Sequence, residues 1–324
     1  MNDRKALVVG IDNYPRCPLV SCCNDSEAVK DLLANHENGD PNFEVWKKDN
    51  VQTKGELRRL IEKCFEGDAE VSLFYYSGHG HIDSVGGYLV TPDYQECDMG
   101  VSLQDVLTIA NMSKCKERII ILDCCYSGLM GNIITNGQNT ATINEGVTIL
   151  TASRKDEASI GGSNYSVFTT LLLEALKGGA ADILGHITVG SIYAFIDKAL
   201  GTWEQRPVFK TNVTRFTSLR DVEPQVDISI IRNICRLFPN EDSKLSLNPS
   251  FEWTNSPDIK HEYVKPYANP DNTAVFSDLQ KLEGIGLVIP VGEEHMYFAA
   301  MNSKACQLTA VGKHYWNLVK KGKI

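Results

Sequence analysis

The sequence predicts an α/β fold: a mostly parallel sheet with helices on both faces, followed by a smaller C-terminal α+β domain. Three observations carry this expectation. Continuous apolar runs at Ala6–Ile11 (ALVVGI), Val71–Tyr76 (VSLFYY) and Arg118–Asp123 (RIIILD) have the length and composition of strands buried on both faces. Segments with helical apolar spacing stand between them, and strands alternating with helices build parallel sheets. The composition then changes near Asp221, which places the expected boundary between a domain of residues 1–220 and one of residues 221–324.

Taken in order, the first run is followed by Asn24-Asp25-Ser26, read as cap residues of a helix reaching about Ala34. Phe43 to Lys47 alternates as a short strand, and Thr53 to Phe65 reads as a helix with Leu57, Leu60, Ile61 and Cys64 on one face. Val71–Tyr76 is stopped by Ser77-Gly78. Tyr88–Thr91 is a strand, Leu103–Met112 a helix, and Val147–Ala152 a fourth buried strand. Helices are expected at about Val167–Lys177 and Val189–Leu200. Residues 129–146 are rich in Gly, Asn and Thr and read as a long loop. In the second domain, Val226–Phe238 reads as a helix, then comes a segment rich in Pro, Asn and Asp. A helix at Thr273–Leu282 leads into two strands joined at Gly292-Glu293-Glu294, and a last helix starts near Thr309. A helix ahead of a β-hairpin is winged-helix-like.

The net charge of −9 and pI near 5.3 argue against nucleic acid as a partner, because phosphate binding needs a dense Lys/Arg face. No apolar run approaches the roughly 18 residues that cross a bilayer, so no membrane role is expected. The ten cysteines include the adjacent pairs Cys22-Cys23 and Cys124-Cys125 but no C-x-x-C spacing. A disulfide framework and a structural zinc site are therefore disfavoured, and a reducing, cytoplasmic location is expected.

The chemistry concentrates at two strand ends. VSLFYYSGHGH puts His79 between two glycines just past a strand, and IIILDCCYSG puts Cys125 just past the next strong strand. A thiol nucleophile needs a nearby base, which His79 supplies. It also needs amide donors for a tetrahedral oxyanion, and the N–H groups of Gly80 and Cys125 are the candidates. In parallel sheets such sites lie beyond the carboxyl ends of the strands. His79, His81, Cys124 and Cys125 could also be read as zinc ligands, but adjacent strand residues point to opposite faces.

Gly78-His79-Gly80 and Asp123-Cys124-Cys125-Tyr126-Ser127-Gly128 resemble the Gly-His-Gly and Asp-x-Cys-x-Ser-Gly segments of caspase-like cysteine peptidases of the metacaspase and prokaryotic caspase-homologue type. The alignment selects Cys125 over Cys124, although metacaspases usually carry His at the place of Tyr126. The separation, 125 − 79 = 46 residues, is near the roughly 50 of caspases. Cys22-Cys23-Asn24-Asp25 is similar to the family's Cys-x-x-Asp segment. The resemblance implies that Asp25 and Asp123 line an acidic substrate pocket, holding Arg bidentately and Lys more loosely. It runs from about residue 4 to 218, with softer matches at Thr151-Ala152-Ser153, Phe168-Thr169 and Gln205-Arg206-Pro207.

The implied activity is a cysteine endopeptidase (a thiol protease and hydrolase) cutting proteins or peptides after a basic P1 residue. Some relatives bind calcium. Here Asp93 and Asp105 stand near the corresponding positions, with Asp98 between them, but Gln104 and Asn132 stand where carboxylates are wanted, so no cofactor is required and calcium is not favoured. From Tyr126 to Ser153 there is no Lys, Arg or Asp, so an acidic pocket could not process that linker, and a single-chain enzyme is expected. The second domain carries 11 Lys/Arg and 13 Asp/Glu from Asp221 onward. It is read as a regulatory or sensor domain for a nucleotide messenger or a protein activator. The resemblance implies a signal-activated effector of prokaryotic antiphage defence or cell death. The alternative is a catalytically silent scaffold or ligand-sensing adaptor.

Overall fold

A strand covered on both faces must be apolar at every position, and its alternate side chains then belong to two different cores. That is the arrangement in the computed structural model, which describes residues 3–96, 98–124, 134–135, 138–139, 142–152, 164–201, 206–253 and 268–324. The chain divides into two compact units, Met1–Glu223 and Pro224–Ile324.

The first unit opens with β1 (Arg4–Gly10), α1 (Cys22–Ala34), β2 (Glu44–Asp49), α2 (Lys54–Phe65) and β3 (Val71–Ser77). A small antiparallel sheet of β4 (Gly80–Ile82), β5 (Gly87–Gln95) and β6 (Asp98–Ser102) follows, then α3 (Leu103–Met112) and β7 (Glu117–Asp123). The short pair β8 (Ile134–Thr135) and β9 (Gln138–Asn139) precedes β10 (Val147–Thr151) and α4 (Val167–Glu174). The unit ends with β11 (His186–Thr188), α5 (Val189–Leu200), β12 (Val208–Asn212) and β13 (Ser218–Asp221).

The main sheet is ordered β12-β10-β7-β3-β1-β2, and its pairs are parallel except for the β12 edge. Ala6, Val8, Leu73, Tyr75, Ile119 and Ile121 face one way and pack with α1, α4 and α5. Leu7, Val9, Phe74, Tyr76, Ile120 and Leu122 face the other way and pack with α2 and α3. The expected caspase-like sheet with helices on both faces is therefore present.

Several elements differ from expectation. Helix α1 begins at Cys22, ahead of Asn24-Asp25-Ser26, because the Asp12 carboxylate accepts the Cys22 and Cys23 amides at 2.9 and 3.0 Å. The orphan donors of the first turn are thus satisfied from a distant loop, and Asp25 is released from capping. Helix α4 ends in a wide turn at Ala175–Gly179, where Gly178 takes a positive φ of 120°. The Tyr88–Thr91 strand is the middle of a longer β5.

In the second unit the expected helix at Val226–Phe238 is broken at Asn233 into α6 (Ile228–Arg232) and α7 (Ile234–Leu237). Strand β14 (Lys244–Ser246), α8 (Pro270–Gly284), β15 (Val288–Val291), α9 (Met296–Met301), β16 (Ala305–Leu308) and α10 (Ala310–Lys320) complete it. The sheet order is β14-β16-β15, with α8 ahead of the β15–β16 pair. The expected plain hairpin at Gly292-Glu293-Glu294 instead contains α9, whose Met296, Ala299 and Ala300 are buried. The polar turn residues mark the exit from β15 but not the apolar helix that fills the connection.

The close crossing of α1 over the end of β1 yields a test. A Cβ on Gly10 would lie 2.2 Å from the Cys22 carbonyl oxygen and 2.7 Å from Ser26 Oγ. Gly10→Ala is expected to destabilise the first unit by about 1–3 kcal/mol, read from its denaturant midpoint.

Candidate active site at the carboxyl edge of the sheet

The last paired row of the sheet joins Gly10 of β1 to Ser77 of β3 and Ser77 to Asp123 of β7. His79 and Cys125 each stand two residues beyond that row in the sequence. Cys125 itself, the candidate nucleophile, lies outside the described residues, as does Asn132.

His79 is fixed by its backbone and its ring. Its amide donates to Tyr14 Oη at 3.0 Å, and its carbonyl accepts from Tyr76 Oη at 3.1 Å and the Val90 amide at 3.0 Å. The Tyr14 ring lies against the imidazole, with centroids 4.5 Å apart and planes tilted by 59°. Nε2 sits 2.7 Å from the Cys17 carbonyl oxygen. A carbonyl oxygen only accepts, so Nε2 carries the proton, and a neutral ring then presents Nδ1 as a bare acceptor. Gly78 is required by packing: a Cβ there would lie 2.6 Å from both Tyr14 Oη and Tyr76 Oη.

Gly80 is the first residue of β4 and pairs with Leu89. The neighbouring His79–Val90 pair is hydrogen-bonded. By the alternation of an antiparallel ladder, the Gly80 amide points away from β5. His81, expected in a loop, lies within β4 opposite Tyr88.

The two acidic candidates are brought together. Asp25, wholly buried in the first turn of α1, accepts from Ser77 Oγ at 2.9 Å and from the Ser166 amide at 3.0 Å. Asp123, at the end of β7, accepts from Thr169 Oγ1 at 2.6 Å and from the Ser166 hydroxyl. Ser166, the N-cap of α4, therefore bridges both carboxylates, its amide to one and its hydroxyl to the other. Burial, and then the charge of Asp123, push the Asp25 carboxyl up to about 8.

Two thiols near this edge are pushed toward the protonated form. Burial, with Asp12, Asp25 and Asp123 adding to it, raises Cys22, and burial with Asp12 pushes Cys23 up to about 12. Cys124 is buried in the core that faces α2 and α3.

The carboxylates weighed for calcium are engaged elsewhere. Asp93 accepts from the Lys54 amide and Thr91 Oγ1, Asp98 pairs with Lys54 Nζ at 2.7 Å, and Asp105 pairs with Arg58 at 3.0 Å. Among the described residues, no group of three or more His, Cys, Asp or Glu side chains is placed to hold a metal ion.

Sequence reasoning missed Tyr14, Cys17, Ser77 and Ser166 as parts of the site. Ser166 had a usable signal, a serine directly ahead of the helical run VFTTLLL. Cys17 had none, since it contributes only a backbone carbonyl.

The chain is similar to several known proteins. Metacaspase-9 of Arabidopsis thaliana is 28% identical over 143 residues, covering 39% of this chain and 43% of the relative. The chain thus aligns with less than half the length of that relative. Among solved structures, caspase-1 from Spodoptera frugiperda is 16% identical and covers 68% of this chain and 91% of its own, with a TM-score of 0.48. A pro-sf-caspase-1 structure is 12% identical, covering 67% of this chain and 94% of its own, at the same TM-score. The family model for the caspase domain matches residues 3–217, about two thirds of the sequence, and the chain therefore belongs to the caspase-domain family of cysteine peptidases.

Proposed function

We propose that the chain hydrolyses peptide bonds on the carboxyl side of basic residues, Arg ahead of Lys, with His79 and Cys125 as a dyad. The observation that carries this reading is the Asp25–Asp123 pair, two carboxylates joined through Ser166 beside the strand end that bears His79. Such a pair repels itself and is relieved by a bound cation, and a guanidinium offers the matching fork of donors. Cleavage after Asp would need cationic groups in place of these residues.

In this mechanism Nδ1 of His79 takes the Cys125 proton, and the thiolate adds to the scissile carbonyl carbon. The amides of Gly80 and Cys125 receive the developing oxyanion. Collapse breaks the C–N bond as His79 returns the proton to the leaving nitrogen, leaving a thioester. Water, deprotonated by His79, then cleaves the C–S bond to give the free acid and the thiol. Nε2 stays bonded to the Cys17 carbonyl throughout, which holds the ring in one orientation as its charge changes.

The second unit is proposed as the regulatory or sensor domain, taking a nucleotide messenger or a protein activator. We place the enzyme among signal-activated effectors of antiphage defence or cell death, working in the cytoplasm as one chain and binding no nucleic acid. The absence of Lys and Arg between Tyr126 and Ser153 supports activation without cutting that linker. Titrating the full chain with cyclic and linear nucleotide messengers is expected to give binding heat together with increased cleavage. Neither signal, with any of them, removes the small-ligand version.

On fluorogenic peptides that differ only at P1, Arg is expected to lead Lys, with Asp and Ala near background. Cys125→Ala and His79→Ala should each lower kcat/KM at least about 1000-fold. Asp-directed cleavage would leave the family assignment standing and remove the acidic pocket.

Asp25 gives a linked pair of outcomes. Its carboxyl is raised to about 8 in the free protein, so the ionised form that pairs with Arg dominates only above that pH. For P1-Arg substrates kcat/KM should therefore rise with pH up to about 8. A raised folded-state value also means that stability is lost as pH climbs from the unfolded value toward 8. Asp25→Asn is expected to remove the cleavage and its pH limb, while raising the melting temperature at pH 8 by about 2–4 °C. A melting temperature that falls at pH 8 would show that the carboxylate is not under the strain argued here.

A further inference from the structure

An open cavity of about 560 Å³ has in its wall Tyr14, the ring packed on His79. It is lined by Asn13, Tyr14, Pro15, Pro18, Gln52, Thr53, Pro92 and Asp93. We propose that it is the leaving-group subsite, taking a bulky apolar side chain from the first or second residue after the scissile bond. The proposal deepens the peptidase reading above and rests on it.

Position is the first argument. Asp25, Ser166 and Thr169 belong to α1 and α4, which cover one face of the sheet. Thr53 caps α2, which packs on the opposite face, and Pro92 and Asp93 lie in β5. His79 is tied to both groups: β3, which leads into it, gives Ser77 to Asp25, and Tyr14 packs on its ring. A substrate whose basic side chain enters the acidic pair must carry its other half past His79, because that residue has to reach the leaving nitrogen. Tyr14 is both a wall of the cavity and the ring packed 4.5 Å from the imidazole. An extended chain advances about 3.3–3.6 Å per residue, so one or two residues beyond the scissile bond reach the cavity.

The chemistry of the lining selects the ligand. Several polar groups at the wall are already bonded within the protein. Asp93 accepts from the Lys54 amide at 3.1 and 3.2 Å and from Thr91 Oγ1 at 2.6 Å. The Asn13 amide and Gln52 Nε2 bond to Asn50 at 2.9 and 2.6 Å. The Thr53 hydroxyl accepts the Glu56 amide. The rest of the wall is the surface of Tyr14, Pro15, Pro18 and Pro92, which rewards apolar area, while the Asp93 carboxylate disfavours an acidic side chain.

Occupancy also bears on the base. Cys17, whose carbonyl holds Nε2, lies between Pro15 and Pro18. A side chain seated on those prolines steadies the segment that orients His79, so the preference should appear in kcat as well as KM.

The test uses the full chain and internally quenched peptides with P1 Arg fixed and Ala, Asp, Leu or Phe at each of the next two positions. Phe or Leu at one of them is expected to exceed Ala and Asp by about 10-fold in kcat/KM. That ratio should fall toward one in Pro92→Asp and in the rim variant Gln52→Glu. A flat preference in the wild type, or a ratio kept in both variants, overturns the subsite. A P1-Arg coumarin amide, which has no residue after the scissile bond, separates the two levels. Its cleavage alongside flat peptide preferences removes the subsite alone. Failure to cleave it or any peptide removes the peptidase reading, and the subsite with it.

Discussion

A carboxylate deprived of water must be compensated by donors or by its proton, and the carboxyl edge of the sheet is organised around one such group. Asp25 has no exposed surface and lies near a second carboxylate, Asp123. Its partners come from three directions: Ser77 from β3, the Ser166 amide from α4, and its own helix α1. Each is set by a separate part of the fold. The parallel register puts Ser77 opposite Asp123. The Asp12 carboxylate takes over the capping of α1, so that Asp25 can turn inward. Ser166 caps α4 through the Thr169 amide while its hydroxyl serves Asp123. Moving any one of these elements leaves a buried charge unsatisfied, which costs far more than a surface contact.

The sheet was legible because a doubly covered strand writes itself as an unbroken apolar run, and β1, β3 and β7 each have one. Helices α3 and α5 matched residue for residue, since an apolar stripe and cap residues fix both ends. The start of α1 was misplaced because its anion lies ten residues upstream, and local pattern cannot see a cap delivered by a loop. Asn233 and α9 were missed for a related reason. Short helices of four to six residues carry too few turns for a period to register.

Within the candidate site, the residues singled out in the sequence were those in motif segments. His79, Asp25 and Asp123 stand in motif segments, and the structure places the two acids within reach of one serine. Tyr14 and Tyr76 belong to neither motif. Their hydroxyls, buried beside Gly78, in fact bracket the backbone of His79. Burial and hydrogen bonding of a tyrosine tip depend on tertiary neighbours, which the local sequence does not contain.

The contact between His79 and the Cys17 carbonyl has a consequence for how this machinery tolerates change. Where a carboxylate orients a histidine, one substitution deletes the orienting group and a drop in pH neutralises it. A peptide oxygen is supplied by every amino acid and does not titrate. Side-chain replacement at position 17 therefore leaves the acceptor in place, and scanning mutagenesis would pass over it. What can displace it is a change in chain path: an inserted or deleted residue between Asp12 and Leu19, or loss of the Leu19 amide bond to the Asp12 carbonyl that closes this loop. For this acceptor the length of that loop, rather than the side chain at position 17, is the quantity under constraint.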